Sequence, residues 1–331
     1  MFQPTRRAVA LVVLVLPVAL TACTTGAAPS PAVPPASIEP GATCATLPAP
    51  SELPTDWRST STEASVIPVI VSSEQACGPD RFVFSFIDAA SNEPIASPER
   101  SARVAFFNLG ADPATPVATA EATFVWGIEG SRGVYIVPVA YPEAGEWGVE
   151  LTTAAPGGPE ESVRVRYQVR ADRSAVGVGE PAVPVRTPTL ADVGGDVAQI
   201  SSDPEPNLAF YERSVDAAIE AGEPFMLAFA TPAFCTSAQC GPTLDIVKAV
   251  AARNPDFPVV NVEPYLLEHV DGTLQPVLDG NGQLQPAEAT NAWGILSEPW
   301  VYVVGADGVV AGSFEGIVSE AELQAAIDAA S

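Results

Sequence analysis

The sequence predicts two folded parts in series, an all-β antiparallel sandwich followed by an α/β domain. Three features of the pattern point that way. From about residue 65 to 170, short β-like runs recur between Gly, Pro, Asn and Asp turns. Beyond about residue 207, unbroken apolar runs alternate with helical stripes, the pattern of a sheet covered on both faces. Between them lies a connection with Pro181, Pro184, Pro188, Pro204, Pro206 and several Gly. The 331 residues are 47% hydrophobic and 17% charged, enough to bury two cores. The 34 prolines, about twice average usage, favour linkers and turn-rich β structure over a helical bundle.

The chain opens with Arg6 and Arg7, an apolar run from Ala8 to Leu20 too short to span a bilayer, and then Thr21, Ala22 and Cys23. That is the pattern of a secretory signal. Leu20 to Cys23 resemble the bacterial lipobox, which implies lipidation at Cys23 and an acyl anchor on the extracytoplasmic side of the cell membrane. Thr5 to Arg7 are weakly similar to a twin-arginine signal. No later stretch reaches ~18 apolar residues, so no transmembrane helix is expected. Residues 23–58, rich in Pro, Ala, Ser and Thr, are expected as a tether after a signal peptide at 1–22.

The formal charge of −25 argues against nucleic-acid partners, whose affinity comes mostly from Lys and Arg displacing counterions. With one histidine, His269, and methionine only at Met1 and Met226, copper, zinc or haem sites that need several His or Met ligands cannot be assembled. No metal or other cofactor is expected. His269 reads as a solvated loop residue. Setting Cys23 aside, four cysteines remain in two local sets, as disulfides in an exported protein predict. Cys44 and Cys77 are expected as a structural bond closing a loop of about 33 residues, worth ~3–4 kcal/mol.

The first folded part, 59–170, has seven candidate strands. They are Val66–Val71, Arg81–Ile87, Ala102–Asn108, Ala118–Trp126, Val134–Tyr141, Trp147–Thr153 and Ser162–Arg170. Two alternate cleanly: Phe82, Phe84 and Phe86 oppose Arg81, Val83 and Ser85, and Val163, Val165, Tyr167 and Val169 oppose Arg164, Arg166 and Arg170. Seven strands in about 105 residues read as an immunoglobulin-like sandwich, though without the antibody Cys pair and Trp spacing. Ala144 to Trp147 before a final β run resembles extracytoplasmic modules of the YtkA and FixH type. Relatives of that architecture that hold copper use His and Met, and residues 2–225 contain neither.

After the linker at 171–206, residues 207–331 suggest in order a helix from Ser214 to Ala221 closed by Gly222, a buried strand from Phe225 to Ala230, and a helix from Pro242 to Arg253 ended by Asn254 and Pro255. A strand from Pro258 to Val262 follows, then a surface hairpin or loop over 263–288, a hairpin of Trp300–Val304 with Val309–Phe314, and a last helix begun by a Ser319/Glu322 capping box. The stretch Phe229 to Pro242, containing Cys235-Thr236-Ser237-Ala238-Gln239-Cys240, resembles the strand-to-helix active-site loop of thioredoxin-fold proteins. Ser297-Glu298-Pro299-Trp300 resembles the segment in which that family carries its cis-proline. The end of the domain is similar to membrane-tethered oxidoreductases of the TlpA type.

The resemblance implies a thioredoxin-like domain in an extracytoplasmic lipoprotein, with thiol-disulfide exchange by Cys235 and Cys240 and with Pro299 lining the peptide site. Its partners would be extracytoplasmic protein thiols or disulfides and a further redox protein. Four residues separate the cysteines here, against two in the family. In a continuous helix, residues five apart have Cα atoms ~8.5–9 Å apart, too far for a disulfide, so the pair needs a late helix start or an unwound first turn. Pro242 as first helical residue and Gly241 as cap would leave both cysteines in the loop.

Other readings stay open. The pair suits a structural disulfide in a redox-inactive binding module, and Cys240-Gly241-Pro242-Thr243 suits Cys240 as a lone nucleophile. A four-residue gap also resembles peroxiredoxins of the bacterioferritin-comigratory type, but Pro232 stands where they carry Thr. No Arg lies near Cys235 to stabilise a peroxide. SCO-type copper proteins use three intervening residues and a later His.

Overall fold

Residues 44–57 and 64–331 are described in a computed structural model, within one compact unit. The signal, lipobox and Cys23 expectations lie outside the described residues.

Ten strands build the first part: β1 (Ala45–Thr46), β2 (Val66–Ile70), β3 (Gln75–Ala76), β4 (Gly78–Asp88), β5 (Ser101–Asn108), β6 (Ala118–Glu121), β7 (Thr123–Ile128), β8 (Arg132–Tyr141), β9 (Glu143–Ala154) and β10 (Glu161–Arg170). One sheet runs β3-β10-β9-β5-β6 with β1 also on β9, and the other runs β2-β4-β8-β7. Phe82, Phe84, Phe86 and Tyr135 of the second sheet share a core with Phe106, Trp147, Val149 and Leu151 of the first. This is a β-sandwich, and the period-2 alternation of β4 fills it: all three phenylalanines are fully buried.

The run expected as one strand over Ala118–Trp126 is two. β6 pairs with β5 in one sheet and β7 with β8 in the other, so the chain changes sheets at Ala122. A strand that crosses a sandwich edge cannot keep a single ladder, and the local alternation does not record the crossing. Part of the expected tether also packs. Trp57 is buried against Phe107, with its indole N–H donating to the Pro113 carbonyl, and Arg164 stacks over its ring. Cys44 and Cys77 form a disulfide with Cα atoms 6.2 Å apart, which joins the start of β1 to the start of β4.

The second part contains α1 (Val215–Ala221), β11 (Phe225–Phe229), α2 (Cys240–Arg253), β12 (Val259–Val262), the hairpin β13 (Leu267–Val270) and β14 (Thr273–Pro276), α3 (Glu288–Ala292), β15 (Trp300–Val304), β16 (Val310–Glu315) and α4 (Glu320–Ala330). The sheet order is β12-β11-β15-β16, with β12 parallel to β11 and the other pairs antiparallel. All five residues of β11 are buried, and alternate ones enter different cores. Met226 and Ala228 meet α2 and α4, whereas Phe225, Leu227 and Phe229 meet α1, α3 and Trp293. Gly222 closes α1 at φ 64, a conformation that favours glycine. Ser319 and Glu322 form the capping box of α4.

The 171–206 connection, expected as a linker, is not a free spacer. Ala175, Ala182 and Val185 are buried in the core beside Trp293. The Gly179 amide donates to the Val310 carbonyl, and Val310 donates back to Glu180. The sandwich abuts the second sheet directly. Ile317 packs among Val83, Val134 and Ile136, and a Cβ at Gly127 would meet Ile317 at 2.2 Å. Among the described residues no helix is long and apolar enough to cross a membrane.

Candidate functional site

The helix α2 starts two residues earlier than expected, at Cys240, with Gln239 as its cap; Pro242 is the third helical residue. Proline is tolerated there because the amides of a helix's first turn have no intrahelical acceptor to lose. Cys240 therefore stands in the first turn and is not a loop residue. Cys235 lies in the preceding non-helical segment, which turns back at Ala238 with φ 61. That turn brings the two Cα atoms to 5.9 Å, and the cysteines form a disulfide.

The two sulfurs are placed unequally. Cys240 is fully buried against Leu244 and Val247, while Cys235 is part-exposed. The Cys240 amide, first in α2, donates to Cys235 Sγ at 3.2 Å, and the Ser237 hydroxyl lies 3.4 Å from the same sulfur.

Across the loop stands a carboxylate that sequence reasoning passed over. Glu298 is buried at 7% exposure. Its Oε1 accepts from the Thr236 amide at 2.7 Å and the Thr236 hydroxyl at 2.6 Å. Its Oε2 accepts from the Tyr265 hydroxyl at 2.7 Å, and its carbonyl accepts from Ser237 at 2.9 Å. Burial, and then the hydrogen bond to Glu298 and that group's charge, push the Tyr265 phenol well above its ordinary range. Cys235 Sγ, Cys240 Sγ and a Glu298 oxygen all lie within 4.8 Å of one another. Only a Glu before a Pro and a Tyr in an apparent loop signalled this cluster in the sequence, and neither is distinctive.

The Glu298–Pro299 peptide is cis, and Pro299 is buried with its carbonyl accepting from Gly316 at 2.8 Å. Leu296, at 54% exposure, is the exposed apolar residue of that segment. Ser202, from the 171–206 connection, supports the cysteine loop from behind. Its hydroxyl accepts from the Ala233 amide at 3.2 Å, and its own amide donates to the buried Glu263 at 2.6 Å. Burial raises the Glu263 carboxyl above the usual range. Glu263 and Tyr265 line a cavity of about 440 Å³ with Ile200, Val262 and Leu266. His269 is exposed on the β13–β14 hairpin, opposite Leu274.

No protein-family model matches the chain, and no curated protein matches it. Among solved structures, the soluble domain of PmoD from Methylocystis sp. (Rockwell) is similar over 31% of this chain and 88% of its own, at 13% identity. Its TM-score of 0.19 is too low to show a shared fold.

Proposed function

We propose that the chain is an extracytoplasmic lipoprotein whose second part is a thioredoxin-like domain that exchanges disulfides through Cys235 and Cys240. The single observation that carries this reading is the unequal placement of a disulfide at a helix start. The exposed sulfur, Cys235, receives the first amide of α2, and the buried one, Cys240, stands behind it. After reduction, that amide and the helix dipole favour a thiolate at Cys235. This also supports Cys235 over Cys240 as nucleophile, because a fully buried sulfur is out of a substrate's reach.

In the exchange, the Cys235 thiolate attacks a substrate disulfide, forming a mixed disulfide and releasing one substrate thiolate. Cys240 then attacks Cys235 Sγ, restoring the internal bond and releasing the second substrate thiol, and the reverse sequence oxidises a substrate. The Leu296–Pro299 segment borders the site and offers Leu296 as a partner contact. Cys240→Ser should accumulate mixed-disulfide adducts through Cys235. If that variant and Cys235→Ser both form no adducts and reduce insulin as the wild type does, the exchange reading is wrong.

A second reading, a structural disulfide in a redox-inactive binding module, is favoured by the Glu298 carboxylate, which opposes a further negative charge on either sulfur. A structural bond titrates below about −300 mV, whereas an exchange site titrates in the range of known oxidoreductases. The anchor rests on the sequence alone: Cys23→Ala should release soluble protein, and unchanged membrane retention would refute it.

A further inference from the structure

We propose that the reduced Cys235–Cys240 pair, together with Glu298, binds a thiophilic divalent cation of the zinc type and releases it when the pair is oxidised. The inference rests on the exchange reading only in requiring that the pair be reducible. The composition excluded sites built from several His or Met; it did not address a site of two thiolates and one carboxylate, which the fold assembles from separate segments.

Three observations support it. In the oxidised form, with the two sulfurs bonded to each other, a Glu298 oxygen lies within 4.8 Å of both. In a tetrahedral zinc site with Zn–S ~2.3 Å and Zn–O ~2.0–2.2 Å, donor atoms are about 3.3–3.9 Å apart, so small movements of the freed sulfurs close the set. The carboxylate is oriented as a metal ligand usually is, by hydrogen bonds from behind: Thr236 holds one oxygen and Tyr265 the other. Oxygen lone pairs remain for a cation, since Oε2 accepts a single bond. Finally, the described residues place no Lys, Arg or His in an ion pair with Glu298, so a partly buried cluster of two thiolates and a carboxylate has no cationic side chain to neutralise it. Three protein ligands leave the fourth position to solvent on the part-exposed Cys235 side.

The chemistry balances in both directions. A dithiol reductant converts the Cys235–Cys240 disulfide to two thiols and itself becomes a disulfide. Zinc then displaces one proton from each thiol to solvent as two Zn–S bonds form. When a substrate disulfide oxidises the pair, the two zinc-bound sulfurs join, the substrate takes up the electron pair and two protons from solvent, and the cation leaves.

The test uses the full chain, reduced by a dithiol without oxygen and freed of reductant. Its thiols are counted with a chromogenic disulfide as the excess over the Cys235→Ser/Cys240→Ser double variant, which cancels Cys23, Cys44 and Cys77, and Zn2+ is titrated against a chromogenic chelator. Wild type should bind one zinc ion per chain beyond what the Cys235→Ser/Cys240→Ser double variant binds, and none beyond it once oxidised. Glu298→Gln should weaken binding ~10-fold or more. Zinc K-edge absorption on the wild type, which does not depend on the variant folding, should show two sulfur neighbours with oxygen completing the shell. If the two thiols appear but zinc binding does not exceed the double variant's, or Glu298→Gln binds as the wild type does, the metal site is refuted while the exchange reading stands. If the two thiols never appear, both are refuted.

Discussion

Single residues around the cysteine loop separate what packing demands from what chemistry uses. Glu263 is a buried acid whose second oxygen has no hydrogen-bond partner. Burial holds its carboxyl above the ordinary carboxylate range, so the folded chain keeps that proton more tightly than the unfolded chain does. The group's contribution to stability is therefore fully present below about the unfolded value and is lost as pH rises through the folded one. Glu263→Gln should remove this slope. The difference between variant and wild-type urea midpoints should favour the variant increasingly as pH rises from 4 to 8, and a constant difference would contradict the assignment. The cysteines themselves were readable as a pair from their spacing and export context. Glu298 was not, because a carboxylate becomes part of the site only when the chain before β15 is laid against the loop before α2.

Among elements, the loop from Thr231 to Gln239 decides whether the two cysteines meet. A helix running through both would hold them too far apart, and the left-handed turn at the exposed Ala238 is what shortens the separation. A non-glycine residue pays a conformational penalty in that region, partly offset by the greater unfolded-state freedom of glycine. Ala238→Gly should therefore raise stability by about 0.5–1 kcal/mol with the disulfide intact, read from thermal or urea unfolding. Helix α2 was legible from its apolar stripe and its Asn254 stop, but its first turn was not. Pro242 is tolerated at the third helical position as well as the first, so it does not fix where the helix starts, and Gln239, the residue before the helix, lies beside Gly127 of β7. The two strands β6 and β7 merged in the sequence for a related reason: alternation records which face a residue takes, not which sheet it joins.

Over the whole molecule, the sandwich and the second sheet are held together by polar contacts centred on Arg81 of β4. Its guanidinium donates to Glu322 at 2.7 Å, to the Ile317 carbonyl at 2.5 Å and to the Glu315 carbonyl at 3.1 Å. Glu322 is also half of the α4 capping box, so one carboxylate closes a helix and binds the neighbouring sandwich. Arg81→Ala should cost about 2–3 kcal/mol, because it leaves the Glu315 and Ile317 carbonyls without that donor and Glu322 without its cation. Chemical denaturation should then show the two parts unfolding in separate steps, and an unchanged single transition would show that the apolar contacts of Ile317 suffice.

Periodicity, turn residues and cysteine spacing were enough to establish from sequence the strand-rich first part, the alternation of strands and helices in the second, and the two cysteine pairs. Those features depend on neighbours within a few residues, or on pairing rules that spacing alone supplies. The packed connection at 171–206, the contact between the two parts and the carboxylate beside the cysteines depended on the folded chain. Each joins residues tens to hundreds of positions apart, and local patterns carry no record of which distant surfaces meet.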